Sequence, residues 1–493
     1  MTPRARALAA AALSVSLAAH AGLAAAIPDL AERADFAAVR AALAAGADAR
    51  EVQADGTTAL HWAVQHDREE TVAALLAAGA GPDARNRYGV TPLALACLNG
   101  SAAVAARLLA AGADPNLAAP GGETPLLTAA RAGRAALVRE LLARGAEVNA
   151  RLPGSGQTAL MWAAAEGHAP VVEALLAAGA DACAAVDSGF TALFFAARGG
   201  HRAAAAALLR AGVDVNDVTR PARTGGKLPR RGTSALLLAI ENGHFELALD
   251  LLERGADAAD ARSGYTPLHV MVWVRKADRG EDEGFPEPRV TGPVTSVQLV
   301  RRLVAAGARV NERLAGGPSG GGRIARKGAT PFLLAADTAD LEYMKLLLEL
   351  GADPRIPNAD GATALMAAAG LGTRAAGEEA GTEDEALAAV EFLLGLGADL
   401  HAVSSHGDTA MHGAAFANFP RVVRLLAARG MRIDVWYTRN QRGWTPLLIA
   451  EGHRFGNFKP SFETVDAIKR ELVAQGVTPP PPTPVTPVIG YGN

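Results

Sequence analysis

The sequence has few aromatic residues and almost no cysteine. Phenylalanine, tryptophan and tyrosine make up 5% of the 493 residues, although 50% of the chain is apolar. Alanine and leucine therefore supply most of the apolar side chains. That balance disfavours β-sheets, which are rich in aromatic and β-branched residues, and favours closely packed helices. The two cysteines are too few for a fold that disulfides hold together.

The chain also lacks a strong net charge and the motifs of common enzymes. The formal net charge is −3, which gives no electrostatic reason to expect nucleic acid. A zinc-protease motif and a phosphate-binding loop are both missing from the sequence. Its glycine-rich stretch "GGPSGGG" has no following Gly-Lys-Ser/Thr. The sequence therefore predicts neither catalysis nor a cofactor.

Residues 1–26 have the order of an export signal. Two arginines form a positive start, an apolar stretch follows, and Ala24-Ala25-Ala26 fits the small-residue cleavage pattern. We expect the mature chain to begin at Ile27, or at Gly22 after an earlier cut, and to be periplasmic or secreted. The alternative is an uncleaved membrane anchor. No later stretch of the sequence is long and apolar enough to span a bilayer.

A glycine followed two residues later by Thr or Ser recurs along the chain, first at a spacing of 33 residues. Pro or Ala and a bulky apolar residue come next, as in "TPLALA" and "TPLHVM". This pattern predicts a helix start, because the hydroxyl accepts from backbone amides that otherwise lack a partner, and Pro in the first turn loses no bond. Stretches such as "LLAAGA" and "LLERGA" end the units, with glycine as the helix cap. The starts are at positions 58, 91, 124, 158, 191, 234, 266, 330, 363, 409 and 445.

These motifs resemble the ankyrin repeat over roughly residues 29–478. The resemblance implies an all-α ankyrin-repeat solenoid of stacked helix-turn-helix units with projecting loop fingers. One unit is too small to bury its own leucines, so the core is expected between units. The expected segments are an N-terminal capping half-repeat at 27–55, the array at 56–442, a C-terminal capping repeat at 443–478 and a proline-rich disordered tail at 479–493.

In such a stack the two cysteines, Cys97 and Cys183, lie in different units. Helix layers pack about 8–10 Å apart, which separates the two residues by roughly 20 Å. A disulfide needs Cα atoms within about 7 Å. Both cysteines are therefore predicted to be free thiols.

Four insertions interrupt the period. Residues 219–231 and 312–328 lengthen the loop after a cap, which by resemblance forms a projecting finger. Residues 275–295 and 371–387 separate paired helices, at the opposite edge. The first finger has five basic residues and no acidic one, whereas 371–387 has one basic and five acidic residues. We expect a positive finger edge and a negative opposite edge in the central repeats; solvated loops without a ligand are the alternative.

Aromatic residues and the basic fingers together predict a protein-binding surface. Trp62 and Trp162 fit the core between units, whereas other aromatics hold positions that, by resemblance, face the groove where ankyrin-like proteins take partners. We expect a monomer that binds a protein with an acidic surface and uses no nucleic acid, metal or cofactor. The predicted partner-binding residues are Phe190, Arg220, Arg223, Lys227, Arg230, Arg231, Tyr265, Trp273, Arg323, Arg326, Lys327 and Trp444.

Two other functions stay open beside the leading prediction, a non-enzymatic scaffold exported to the cell envelope. His401, His406 and His412 could form a metal or catalytic cluster, although His412 is also the histidine of the Thr-Pro-Leu-His pattern. The other is a structural spacer, or a cytosolic effector whose N-terminus only resembles a signal.

Overall fold

The computed structural model describes residues 26–222, 230–276, 290–315, 324–373, 376–377, 381–454 and 460–482. Within these ranges the regular secondary structure is helical, with a few isolated β-bridges, which confirms the predicted all-α solenoid of stacked helix pairs. The chain divides into two compact units. The first contains 1–214 and 221–223, and the second contains 215–220 and 224–493.

In the first unit, helix pairs stack in chain order. The first helices of successive pairs contact one another, and so do the second helices, so the described part of this unit has two helical layers. The pairs are α1 (Ile27–Glu32) with α2 (Phe36–Ala44), α3 (Ala59–Gln65) with α4 (Glu69–Ala77), α5 (Pro92–Asn99) with α6 (Ala102–Ala110), α7 (Pro125–Arg131) with α8 (Ala135–Ala143), α9 (Ala159–Ala165) with α10 (Ala169–Ala177), and α11 (Ala192–Gly199) with α12 (Arg202–Arg210).

The second unit has the same kind of layering and one additional short helix. Its first helices, α13, α15, α17, α19, α21 and α24, contact one another in that order. The helices are α13 (Ala235–Glu241), α14 (Phe245–Glu253), α15 (Pro267–Arg275), α16 (Ser296–Ala305), α17 (Pro331–Asp337), α18 (Leu341–Glu349), α19 (Ala364–Ala368), α20 (Glu383–Gly395), α21 (Ala410–Ala417), α22 (Pro420–Ala428), α23 (Ile433–Trp436), α24 (Pro446–Ala450) and α25 (Phe462–Ala474).

The Thr-x-x-His motif begins a helix and joins it to the next pair. Thr58 Oγ1 lies 2.8 Å from His61 Nδ1, and the two residues form a capping box at the start of α3. The other ring nitrogen, His61 Nε2, lies 3.0 Å from Val90 O in the following pair. Thr266 with His269 at α15 repeats the arrangement. One sequence signal therefore specifies both a local cap and a contact between repeats.

Leucines at the ends of the second helices form the core between pairs, as predicted. Leu75, Leu141 and Leu251 are fully buried. Outside this core, asparagines that follow the capping glycines link successive pairs. Asn149 donates to Gly179 O at 3.3 Å and accepts from an amide of the same cap at 2.8 Å. The same pair of hydrogen bonds occurs at Asn116 and Asn311.

Two segments differ from the sequence-based expectation. Residues 27–50 hold two helices, α1 and α2, where a half-repeat was expected. The insertion at 371–387 was expected to be a loop throughout, which is wrong, because α20 begins at Glu383. Thr382 and Glu385 form a capping box there, and alanine and leucine extend the helix.

The predicted signal segment and the end of the predicted tail lie outside the described residues, at 1–25 and 483–493. Among the residues that the structure describes, no helix is long and apolar enough to cross a bilayer.

Candidate functional site

Four predicted site residues of the second unit come together in one row. The Arg230 guanidinium lies 4.5 Å from the centre of the Tyr265 ring, and the Arg326 guanidinium lies 5.1 Å from the Trp273 ring. The two rings are 4.9 Å apart and nearly perpendicular. We call these four residues the arginine–aromatic row. Cations over aromatic faces and edge-to-face rings are both favourable, so the row is held by attraction between its members.

Hydrogen bonds between Thr219, Arg230 and Thr233 close the base of the first finger. Thr219 N donates to Thr233 O at 2.9 Å. The Arg230 carbonyl accepts from the Thr233 hydroxyl at 2.9 Å and also from the Thr219 hydroxyl. These bonds hold the backbone of Arg230 beside the start of α13. Arg220, at the other side of this finger, is exposed and pairs with Asp217 at 2.9 Å.

The second finger is closed in the same manner. Leu314 N donates to Ala329 O at 3.0 Å, and Arg326 O accepts from Ala329 N at 3.0 Å. Arg313 donates to Gly328 O and Pro357 O, both at 3.0 Å. Its side chain therefore connects the start of this finger to the backbone at the end of the finger and in the next loop. Lys327 remains exposed next to the row.

Tyr265 and Trp273 reach the row from one helix. Tyr265 directly precedes Thr266, the cap of α15, and Trp273 lies near the end of that helix. Helix α15 packs between α13 and α17 in the layer of first helices, and each finger leads into one of these neighbours. Three successive repeats therefore build the row, with the aromatic pair supplied by the middle one.

The expectation that Phe190 and Tyr265 are exposed groove aromatics is wrong. Phe190 is 3% exposed and Tyr265 is 1% exposed. The Phe190 ring packs against Phe194 and Phe195, with centres 5.9 and 5.3 Å away. Tyr265 lies beneath Arg230. The Arg198 guanidinium lies 5.3 Å from the centre of the Phe190 ring, so both buried rings lie beneath arginines.

Trp62 and Trp162 are more exposed than expected. Both were assigned to the core, but both are half-buried. Trp62 Nε1 donates to Gln53 Oε1 at 2.9 Å, and the Arg131 guanidinium lies 5.6 Å from the Trp162 ring. Both residues lie four positions after a capping Thr.

The remaining predicted site residues are not members of the arginine–aromatic row, and some of them lie outside the described residues. Trp444 is half-buried, with the Arg442 guanidinium 5.6 Å from its ring. Arg231 is exposed beside Arg230. Arg223, Lys227 and Arg323 lie outside the described residues.

Sequence reasoning missed an arginine–aromatic pair in the first unit. Tyr88 is 57% exposed, and the Arg87 guanidinium lies 4.7 Å from its ring. The pair occupies the tip of the loop that precedes Gly89. The available signal was an aromatic residue beside arginine at the loop position three residues before a capping Thr.

The predicted acidic edge is largely paired. Glu385 lies 2.8 Å from Lys276 Nζ, and Asp384 pairs with Arg421. The pKa of Glu385 is lowered, because its hydrogen bonds to Lys276 and Thr382 outweigh its partial burial. Glu378 and Glu379 lie outside the described residues. The described part of this edge is thus a set of ion pairs instead of an open acidic surface.

The three histidines of the alternative prediction do not share one site. His412 is buried and caps α21 with Thr409, and His406 is exposed. Burial lowers the pKa of His412. Among the described residues no group of three or more His, Cys, Asp or Glu is placed to hold a metal.

Both cysteines are free thiols, as predicted. Cys97 is buried, which raises its pKa to about 12, and Cys183 is exposed.

Comparison with known proteins identifies the repeats. The family described as "Ankyrin repeats (3 copies)" matches residues 29–119, 105–185 and 126–219, and the family described as "Ankyrin repeat" matches 327–359. The chain is 35% identical over 147 residues to human ankyrin repeat domain-containing protein 63, and 31% identical over 147 residues to the mouse protein of that name. These matches cover 29% of this chain and 32% and 31% of the relatives.

A third relative is named for SH3 and ankyrin repeat domains. Human SH3 and multiple ankyrin repeat domains protein 2 is 31% identical over 203 residues, which is 35% of this chain and 10% of that protein. The chain therefore spans about a third or less of the length of these curated relatives.

Proposed function

Because the chain contains ankyrin repeats, we propose that it is a non-enzymatic scaffold that binds a protein partner through the second unit. Ankyrin-repeat proteins are generally protein-interaction scaffolds. The binding surface comprises the arginine–aromatic row and the exposed bases Arg231 and Lys327 beside it.

The row is the observation that carries this proposal. It places two guanidinium groups and the half-buried Trp273 on one face of three adjacent repeats. Tryptophan and arginine are the residues that most often dominate protein interfaces. Exposed bases at the rim steer an acidic partner, whereas an aromatic anchor governs how long it stays bound. The expected partner surface is therefore acidic with an apolar centre.

We also propose export of this scaffold to the cell envelope. The support is the order of residues 1–26, with arginines, an apolar stretch and Ala24-Ala25-Ala26. Mass spectrometry of the protein from its native cell should find Ile27, or Gly22, as the first residue. An intact Met1 would contradict the cleaved form.

The binding proposal is tested by charge reversal at the rim. Arg231→Glu with Lys327→Glu changes two exposed bases without removing any member of the row. Arg424→Glu with Arg470→Glu is the matched control, because both residues are exposed and the change in net charge is the same.

The readout is the association rate with a partner captured from native envelope fractions, measured over a range of salt concentrations. The first pair of changes should slow association roughly tenfold at low salt and flatten its salt dependence, and the control pair should change little. Equal effects of the two pairs would place the binding surface elsewhere.

A further inference from the structure

We propose that the arginine–aromatic row binds an extended acidic segment of the partner, with an acidic residue at each end of a five-residue core and an apolar residue in the middle. This inference rests on the proposed function and names the partner of the same surface.

The stacked arginines present planar forks to a ligand. A guanidinium that lies over an aromatic ring keeps its N–H edge for a carboxylate, which it can bind through two parallel bonds. Among the described residues, Arg326 has no carboxylate partner within ion-pair distance. Arg230 has only Glu241, at 4.0 Å. Both forks are therefore open to carboxylates of another chain.

The separation of the forks has an upper limit, and a five-residue extended core falls within it. The distances from Arg230 through the two rings to Arg326 add up to about 15 Å, which is the upper limit for the distance between the guanidinium groups. An extended chain rises about 3.3 Å per residue, so residues four apart are about 13 Å apart. Side chains at positions one, three and five also lie on the same side of such a chain.

The middle side chain of this core would then face Trp273. In the order of the row this ring follows Tyr265 and lies beneath Arg326. It is half-buried, while Tyr265 beneath Arg230 is fully covered. An apolar side chain at position three covers the remaining surface of Trp273. The segment thus has the pattern acidic, any, apolar, any, acidic.

The row is held in place before the ligand arrives. The carbonyl of Arg230 accepts bonds from two threonine hydroxyls, and the carbonyl of Arg326 accepts from Ala329 N. Each guanidinium is further positioned by its ring. Binding therefore orders fewer groups of the protein, which favours affinity for a short segment.

Three fluorescein-labelled peptides test the spacing against the full chain by anisotropy at low salt. The first, acetyl-GGEGFGEGG, has the proposed pattern. The second, acetyl-GGEEFGGGG, has the same composition with adjacent glutamates. The third is an alanine-rich helical peptide with glutamates seven residues apart, about 10 Å along a helix, and one phenylalanine between them.

The first peptide should bind at least about tenfold more tightly than either control. Equal binding of the first two would show charge attraction without spacing, and tighter binding of the third would show a helical partner. Either result overturns the proposal.

A conservative variant tests whether binding needs the planar pair of donors of Arg326. Arg326→Lys keeps the charge but removes the planar pair of donors, so it should weaken the first peptide roughly tenfold. Arg424→Lys, on the exposed face of α22, is the matched control and should change affinity less than about twofold. Equal affinities for wild type and Arg326→Lys would overturn the proposal.

The proposed scaffold function and the proposed extended acidic segment can be refuted separately. If rim reversal slows association with a captured partner but the peptides are not distinguished, the scaffold stands and the extended acidic segment is wrong. If neither the partner nor any peptide binds at this surface, both are wrong.

Discussion

Replacement of Arg275 by methionine should destabilise the second unit by about 3–5 kcal/mol, the usual cost of breaking a buried ion pair. Arg275 ends α15 and pairs with Asp340 through two bonds, Nε to Oδ2 at 2.7 Å and Nη2 to Oδ1 at 3.1 Å. Their side chains are only 10% and 7% exposed. Asp340 Oδ1 also accepts from Tyr343 N and caps α18. Methionine keeps the apolar stem but leaves a charged carboxylate buried.

The predicted cost comes from the unpaired charge of the buried Asp340 carboxylate. Asp340→Asn keeps an oxygen for the cap of α18 and removes that charge. The double variant Arg275→Met/Asp340→Asn should therefore cost less than the sum of the two single variants, with a coupling of about 2 kcal/mol or more. Hydrogen exchange of the amides in α15 to α18, compared across the four proteins, measures these differences locally.

An exposed pair in the same unit provides the control. Arg301 lies 2.7 Å from Glu349, as close as the buried pair, but the two side chains are 52% and 59% exposed. Arg301→Met should cost about 0–1 kcal/mol, because water replaces the lost partner. If Arg275→Met cost no more than Arg301→Met, or if the two single variants simply added, burial of the ion pair would not explain its importance.

Three further predictions concern individual residues. Ala259→Asn places asparagine where other units use it to link successive caps, so it should stabilise the second unit by about 1 kcal/mol in urea unfolding; no change would mean that the link does not form there. Burial lowers the pKa of His269 from 6.5 to about 4, so the neutral ring favours the folded state above pH 6.5. That stability, about 3 kcal/mol, should be lost as the pH falls from 6.5 towards 4, and unfolding of His269→Gln at the same pH values should show a smaller loss. Cys183 should react with a thiol reagent in the folded protein and Cys97 only after unfolding, and mass spectrometry of early modification at Cys97 would contradict its burial.

Local signals in the sequence were enough to predict the repeating helices. Thr58 and the later capping residues, the glycines after each leucine-rich stretch, and the 33-residue spacing act within a few residues of the chain. Because each repeat contacts its neighbours in the same way, one repeated local pattern also determines the stacking and the position of the core. The same logic predicts the two fingers and Trp273 on one surface, and the described members Arg230, Trp273 and Arg326 do lie in one row.

Exposure of individual aromatic side chains could be decided only by the tertiary structure. Phe190 and Tyr265 were expected at the surface and are buried, while Trp62 and Trp162 were expected in the core and are half-buried. Whether a ring is covered depends on the side chains of the adjacent repeats, such as Arg230 over Tyr265, which the pattern of one repeat does not contain.

The ion pairs that residues near the insertions form could not be predicted from the sequence either. Arg275 meets Asp340 from 65 residues away, and Lys276 reaches Glu385 in the repeat beyond that. Charge counts along the chain treated Glu385 as part of an open acidic edge, because they carry no information on which opposite charge the fold brings close. Composition and periodicity determined the architecture of this protein, and the packing of distant side chains decided which of its charges and rings remain available to a partner.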